Sequence, residues 1–292
     1  VDWRWYTHRA PQWVVDAGRA LAVGGLRQPA CAAAAWRAVL EHDTTTDPGW
    51  MSRRWGALAG LHGVLVATGR VDEIRRLFAA ETALAASMLD RLYILAAVAG
   101  TDLRDQAESA AQALRAEPTA SSRVLWHLGI WEAHRGRAEE ARRIADTLAA
   151  RATRSGDREE RLLARSVTAR AALAAGDSTR ALTLLEALAP DTGRSPLTWN
   201  PWESLGGERL LKAQLRFARR EFNEAWIVAE GFDAPGPVPY IGYVPASLLL
   251  RARAAEALGD VQSARALRRR LAALGRGDLV NVRDAGTPFN RR

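Results

Sequence analysis

Apolar residues recur along most of this chain at the spacing of an amphipathic helix. After Gly136, for example, Ala141, Ile144, Ala145 and Leu148 lie at relative offsets of three, four and seven, on one stripe of a helix. Similar stripes follow one another, separated by a glycine or a short polar turn that suits a left-handed helix end. No stretch alternates apolar and polar residues as a half-buried strand does. The pattern predicts helices joined as hairpins.

The predicted turns are nearly regular. They are expected at Gly24–Gly25, Gly69, Gly100, Gly136, Gly176, Arg220 and Gly259. From Gly69 onward, successive turns are 31, 36, 40, 44 and 39 residues apart. A period in the thirties to forties with two helices per unit is typical of an α-solenoid, in which stacked units supply the core. The predicted fold is all-α: a right-handed superhelix of about seven antiparallel helical hairpins.

Several predicted segments lie at the ends of this array or interrupt it. Trp13–Val23 and Pro29–Glu41 are the predicted helices of the first hairpin, and Pro190–Pro201 is predicted to be an irregular link. Asp233–Pro245 contains four prolines, at 235, 237, 239 and 245, and is predicted not to be helical. The chain beyond Gly275 is expected to be a frayed tail.

Composition and charge narrow the class of protein. Of 41 basic residues Lys212 is the single lysine, the net charge is +8, and eight Arg stand against two Asp after Ala264. Such an end can contact nucleic acid or anionic lipid, or can be a solvated helix face.

The cysteine content and the length of the apolar runs indicate the location of the protein. The lone Cys31 permits no disulfide within the chain, and no apolar run reaches the ~18 residues of a membrane span. The predicted location is the cytoplasm.

One predicted hairpin carries a spaced motif of Leu125, Leu128, Gly129 and Glu132, then Ala141 and Ala145. The motif resembles the tetratricopeptide repeat, with its aromatic, Leu-Gly, second aromatic and later small residue. Leu125 and Glu132 replace the two aromatic residues. The resemblance implies a stack in which the first helix of each hairpin lines a concave surface.

A small residue recurs at a fixed offset. Alanine lies five residues after four successive turns, at Ala141, Ala181, Ala225 and Ala264. The repeat pattern is therefore clearest in the middle of the chain. The predicted division is 1–115, degenerate N-terminal hairpins; 116–275, tetratricopeptide-like repeats; and 276–292, a flexible basic tail.

A second likeness covers the later hairpins. Its segments are Glu208–Leu215, Glu224–Trp226 and Tyr243–Asp260. They resemble the C-terminal helical tails of bacterial multidomain signalling proteins, which follow Ser/Thr kinase or winged-helix domains. No Gly-rich phosphate loop, His-Arg-Asp or Asp-Phe-Gly sequence occurs in these segments. The resemblance implies a sensing or docking part without a catalytic one.

Candidate catalytic and metal-binding residues are few. His127 and His134 are seven residues apart, roughly 10 Å along a helix, and do not converge as metal ligands do. Partly exposed helix positions are expected for both. Cys31, among alanines, is expected to be an inert packed thiol. The prediction is a protein that is not an enzyme and has no cofactor or metal.

The repeat resemblance implies exposed positions on the first helix of each hairpin. They are Trp126 and Ile130, Ser166 and Arg170, Leu210 and Gln214, and Leu249 and Arg253. Most tryptophans are expected to pack between hairpins, but Trp199 and Trp202 lie in a predicted loop and are candidate partner contacts. The candidate partner-binding set is Trp126, Ile130, Arg170, Gln214, Arg253, Trp199 and Trp202.

The leading functional prediction is a non-catalytic scaffold that grips a peptide or protein segment in a concave helical groove. An acidic partner would suit a groove that contains Arg170 and Arg253. Two alternatives stay open. One is a sensor or docking tail of a bacterial kinase or transcriptional regulator, and the other is nucleic-acid binding through the Arg-rich C-terminal end.

Overall fold

The computed structural model describes residues 29–42, 50–188, 198–200, 203–233, 238–276 and 279. Within these ranges the chain forms thirteen α-helices. They are α1 (Pro29–His42), α2 (Trp50–Ala67), α3 (Val71–Ala80), α4 (Ala86–Val98), α5 (Arg104–Arg115), α6 (Ser122–His134), α7 (Ala138–Ser155), α8 (Arg158–Ala174), α9 (Ser178–Glu186), α10 (Gly206–Ala218), α11 (Phe222–Glu230), α12 (Val244–Ala257) and α13 (Val261–Ala273).

From α2 onward the helices pair as six hairpins, which confirms the predicted all-α solenoid. The six turns in this part of the chain lie at the predicted positions, and the backbone is left-handed at each: Gly69, Gly100, Gly136, Gly176, Arg220 and Gly259. The predicted turn at Gly24–Gly25 and the helix Trp13–Val23 lie outside the described residues.

Local hydrogen bonds explain why the helices end at these turns. After α6, the amide of Arg137 donates to the carbonyl of Glu132 at 2.9 Å, which closes the helix end around Gly136 with its φ of 78°. Aspartate then starts several of the following helices. The carboxylate of Asp177 accepts from the amide of Arg180 at 2.9 Å, and Asp260 begins α13 in the same way.

The recurring alanine lies at the crossing point of the two helices in four hairpins. The exposed fraction is 0% for Ala141, Ala181 and Ala225 and 2% for Ala264. A larger side chain has no room there, because core packing leaves few voids. This burial confirms the internal repeat that the shared offset indicates.

The first helices of the hairpins also lie side by side. α2 contacts α4, α4 contacts α6, α6 contacts α8, and α10 contacts α12. The contact of α6 with α8 is close, because a Cβ placed on Gly129 would lie only 2.6 Å from Cγ1 of Val167. A continuous apolar core runs from Ile94 in α4 to Leu215 in α10. We call the surface formed by α2, α4, α6, α8, α10 and α12 the first-helix face.

Two loop predictions need correction. The link between α9 and α10 is not wholly irregular, because Thr198–Asn200 (β1) pairs antiparallel with Glu203–Ser204 (β2). The link also extends past the predicted Pro201, and the next helix begins at Gly206. The proline-rich segment predicted to be non-helical contains a 3-10 helix, Val238–Tyr243, and α12 already includes Pro245. Proline fits the first turn of a helix because its missing N–H has no partner there.

Candidate interaction surface

A chain of buried polar groups crosses the first-helix face. The indole Nε1 of Trp126 donates to Oγ of Ser166 at 2.8 Å, and Ser166 Oγ donates to Oε1 of Glu208 at 2.9 Å. Arg170 Nε donates to the same Glu208 oxygen at 2.5 Å. All four residues are buried. The buried charges are therefore paired, and α6, α8 and α10 are linked by specific hydrogen bonds.

This arrangement overturns part of the predicted groove. Trp126, Ile130 and Arg170 are only 2%, 1% and 8% exposed, so the exposure expected of them as partner contacts is wrong. Ser166 and Leu210 are buried as well. Neighbouring first helices approach too closely to leave these positions open, and Glu208 from α10 covers Arg170.

The remaining predicted partner contacts are either partly buried or outside the described residues. Gln214 and Arg253 are partly buried. Trp202 and the side chain of Trp199 lie outside what the structure describes. The more general expectation that most tryptophans pack between hairpins holds for Trp36, Trp55, Trp126 and Trp131, all of which are buried.

The chain itself covers another part of the first-helix face. The 3-10 helix Val238–Tyr243 contacts α2, α10 and α12. Ile241 is buried in the core that also contains the apolar side chains of α2. Burial raises the pKa of Tyr243 to about 12, the charge of Glu208 adds to this effect, and Arg170 opposes it, as does a backbone hydrogen bond with Gly207. The Tyr243 hydroxyl is thus enclosed beside the Arg170–Glu208 pair.

A cavity of about 310 Å³ lies where the turn between α4 and α5 meets the end of α6. Its lining residues are Ala97, Gly100, Thr101, Arg104, Trp131, His134 and Arg135. We call it the Arg104 cavity. None of the residues that line it is acidic.

The charges around the Arg104 cavity are unevenly compensated. Arg135 Nη1 donates to Oε2 of Glu108 at 2.5 Å, and Trp131 Nε1 donates to the same oxygen at 3.2 Å. Partial desolvation acts to raise the pKa of Glu108, but these two hydrogen bonds and the charge of Arg135 hold it below its usual range. Within the described part of the chain, Arg104 is exposed and has neither an ion pair nor a side-chain hydrogen bond. Among these residues, no carboxylate pairs with the positive charge of Arg104 at the cavity.

The pKa of His134 also reflects the positive charges around the cavity. Its ring stacks on Trp131 with centroids 5.7 Å apart. Although the residue keeps an exposed edge, desolvation lowers its pKa, and the charges of Arg170 and Arg104 lower it further. His134 is thus neutral at neutral pH, and its ring can donate or accept a hydrogen bond.

The remaining candidate residues show no catalytic arrangement. His134 is exposed, but His127 is 1% exposed, so the partial exposure expected of His127 is wrong. Burial lowers the pKa of His127 to about 3. Cys31 is exposed on α1 rather than packed. Among the described residues, no group of three or more His, Cys, Asp or Glu side chains could hold a metal ion.

Arginines near the C-terminal end are engaged in internal ion pairs. Arg268 Nε donates to Glu256 Oε1 at 2.9 Å, and Arg270 Nη2 donates to Asp233 Oδ1 at 2.8 Å. Arg251 also contacts Asp233, at 2.5 Å. These side chains serve the packing of α12, α13 and Gly231–Asp233, and their charge is largely compensated.

Sequence reasoning did not find the Arg104 cavity or the Trp126–Ser166–Glu208 chain. Ser166 and Glu208 are 42 residues apart and belong to different hairpins. The signal that could have indicated the cavity was the local cluster of Trp131, His134 and Arg135 directly before the turn at Gly136.

Comparison with family models and with curated proteins finds no match. Among solved structures, a tetratricopeptide repeat protein from Parabacteroides merdae is similar at 13% identity and a TM-score of 0.48, over 92% of this chain and 96% of that one. BtubC (BKLC) from P. vanneervenii is similar at 13% identity and a TM-score of 0.37, over 94% of each chain. Likeness at this level says nothing about function. The helical hairpins, their left-handed turns and the buried crossing alanines themselves define a tetratricopeptide-like helical repeat protein.

Within the described ranges, none of the helices is both long enough and apolar enough to cross a membrane.

Proposed function

We propose that this protein is a non-catalytic interaction scaffold that binds an acidic segment of a partner protein, with an acidic side chain seated in the Arg104 cavity. The observation that carries the proposal is that Arg104, at the edge of a cavity without acidic lining, forms no ion pair with any of the residues that the structure describes. At about 310 Å³ the cavity is of the size at which ligand pockets begin, and it exceeds the volume of one Asp or Glu side chain.

The chemistry of the cavity suits a carboxylate. Arg104 can form a bidentate pair with it, and the neutral imidazole of His134 can donate a further hydrogen bond. Partly exposed charge pairs contribute only about 0.2–1 kcal/mol each, so further apolar or main-chain contacts must supply most of the affinity. Gln214 and Arg253, with Trp199 and Trp202, remain proposed contacts for the rest of the segment.

The test uses a random peptide library panned against the immobilised full chain. Enriched peptides should contain Asp or Glu, and a labelled peptide from the enriched set should bind Arg104→Glu about tenfold more weakly and with less salt dependence. Glutamate at the first position of α5 suits the helix dipole, so Arg104→Glu should keep the fold. The matched control is Arg265→Glu, which makes the same charge change at an exposed position on α13.

Two results would contradict the proposal. One is a library without acidic enrichment, and the other is equal binding to Arg104→Glu and to the Arg265→Glu control. Arg170 is unsuitable for this test, because its reversal would place two carboxylates together in a buried site with Glu208.

The second proposal is that the scaffold is a sensor or docking tail of a bacterial kinase or transcriptional regulator acting in the cytoplasm. The likeness of Glu208–Leu215 and Tyr243–Asp260 to such tails supports it. The full reading frame that contains Val1 tests it directly, because a kinase or winged-helix domain in the same frame is required.

A further inference from the structure

The 3-10 helix Val238–Tyr243 joins the two ends of the row of first helices. It contacts α2 at one end and both α10 and α12 at the other. The side chain of Ile241 is only 7% exposed and belongs to the core cluster built by α1, α2 and their neighbours. The segment therefore lies against α2 as a ligand would, although about 170 residues of chain separate the two.

The backbone of the segment approaches α2 closely. A Cβ placed on Gly242 would lie 3.3 Å from Cγ1 of Val66 and 3.9 Å from the carbonyl oxygen of Gly63. A methyl group at Gly242 would require Val66 to move by a few tenths of an ångström, and a branched side chain such as valine would press further on α2. Glycine at this position thus allows main-chain approach to the helix.

Tyr243 holds the other side of the segment. It forms a hydrogen bond with the backbone of Gly207 at the start of α10, and its ring lies 6.1 Å from that of Phe232. The two ends of the row also meet at a second place, where a Cβ on Gly69 would lie 3.3 Å from Cδ of Arg276. The two ends of the row therefore approach each other, and the segment contacts both of them.

We infer that the surface formed by α2, α10 and α12 is a binding site for a short segment that contains an apolar residue, glycine and tyrosine. The chain's own Val238–Tyr243 occupies this site, and a partner segment of the same chemistry can occupy it instead. This surface is separate from the Arg104 cavity and does not depend on the function proposed for it. Ile241, Gly242 and Tyr243, whose contacts are described above, define the chemistry of the partner.

A tethered occupant has a high effective concentration, on the order of millimolar, so it competes strongly with any segment added from solution. Weakening the tethered segment alone must therefore increase the affinity for a free segment of the original sequence. Gly242→Val does this, because the added methyl groups meet Val66 while a free wild-type peptide keeps its glycine.

The probe is a fluorescent, end-blocked peptide with the sequence of residues 231–243, and the readout is anisotropy with the full chain. The peptide should bind Gly242→Val about tenfold more tightly than wild type, since overpacking of this kind shifts an equilibrium by about one decade. A peptide with aspartate in place of Ile241 should bind neither protein. Ala141→Leu, which strains a crossing far from the segment, should leave peptide affinity at the wild-type value.

Tyr243→Phe provides an independent variant that loses only the hydroxyl and its bond to Gly207, and it should give a threefold to tenfold gain. It carries the test by itself if circular dichroism shows that Gly242→Val has lost helix. Equal affinity for wild type and the folded variants, or no binding to any of them, would overturn the inference. Dimerisation of Gly242→Val in gel filtration would also overturn it, because the occupant would then be a second copy of this chain.

Discussion

The contact between Gly129 and Val167 allows a sharp test of how closely α6 and α8 pack. A Cβ added at Gly129 would lie 2.6 and 2.8 Å from the two methyl carbons of Val167 and 3.2 Å from Cγ2 of Ile144. Gly129→Ala therefore creates a steric conflict, and Val167→Ala removes its two shortest contacts but not the one with Ile144. The two substitutions should be strongly coupled, since most of the conflict exists only when both side chains are present.

Two opposing effects set the magnitude. Alanine is about 1 kcal/mol better than glycine inside a helix. Overpacking a buried site costs about 1–3 kcal/mol. Gly129→Ala should thus lie between neutral and about 2 kcal/mol destabilising in the wild-type background, and should stabilise by about 1 kcal/mol in the Val167→Ala background. The coupling energy is the part of the overpacking cost of about 1–3 kcal/mol that comes from the contact with Val167.

The assay is urea unfolding of the four proteins, followed by circular dichroism and tryptophan fluorescence. Stacked repeats can unfold in parts, so the two signals must coincide before free energies are compared. Ala150→Gly, at an exposed position of α7, measures the helix preference alone. A coupling energy below about 0.5 kcal/mol would refute the close approach of the two helices.

Three further predictions concern stability. Ala141→Leu should destabilise the protein by about 1–3 kcal/mol in urea unfolding, because Ala141 is 0% exposed at a helix crossing. Arg220 has a φ of 64°, a left-handed conformation that favours glycine, so Arg220→Gly should stabilise the protein by up to about 1 kcal/mol. Gly176 has a φ of 86°, so Gly176→Ala should destabilise it by about as much. If both substitutions changed the unfolding free energy in the same direction, backbone strain at these turns would not be the cause. Burial lowers the pKa of His62 to about 4 and that of His127 to about 3, from 6.5 for an exposed imidazole. Below pH 6.5 the unfolded chain then binds protons that the folded chain does not, so stability should fall as the pH decreases toward 4. His62→Gln and His127→Gln should each reduce this slope by up to about 1.4 kcal/mol per pH unit, and an unchanged slope in both would exclude the buried imidazoles as its source.

Local interactions made the hairpins predictable. A left-handed turn, a following aspartate cap and an apolar stripe depend on residues within about two helical turns of one another. The sequence around Gly176 and Asp177 therefore predicts the end of one helix and the start of the next, and the structure confirms both. Arg220 was found at the same point of the repeat, although glycine is the usual residue there.

The exposure of the first helices was not predictable in this way. Whether Arg170 faces a groove or an ion pair depends on Glu208, which lies 38 residues away on another hairpin. The repeat spacing indicates where Arg170 lies on its own helix, but not which side chain of the next hairpin covers it. Only the tertiary structure, which brings Glu208 of α10 to Arg170 of α8, decides that question.

The sequence alone thus determined the number and order of the helical hairpins in the described part of the chain, because each is built from local contacts. The tertiary structure decided which positions remain open to a partner. It packs Gly129 against Val167 and places Ile241 against α2. It also leaves Arg104, beside a cavity, without an ion-pair partner among the described residues. These features depend on pairs of residues that are distant in the chain, and their distances follow only from how the hairpins stack.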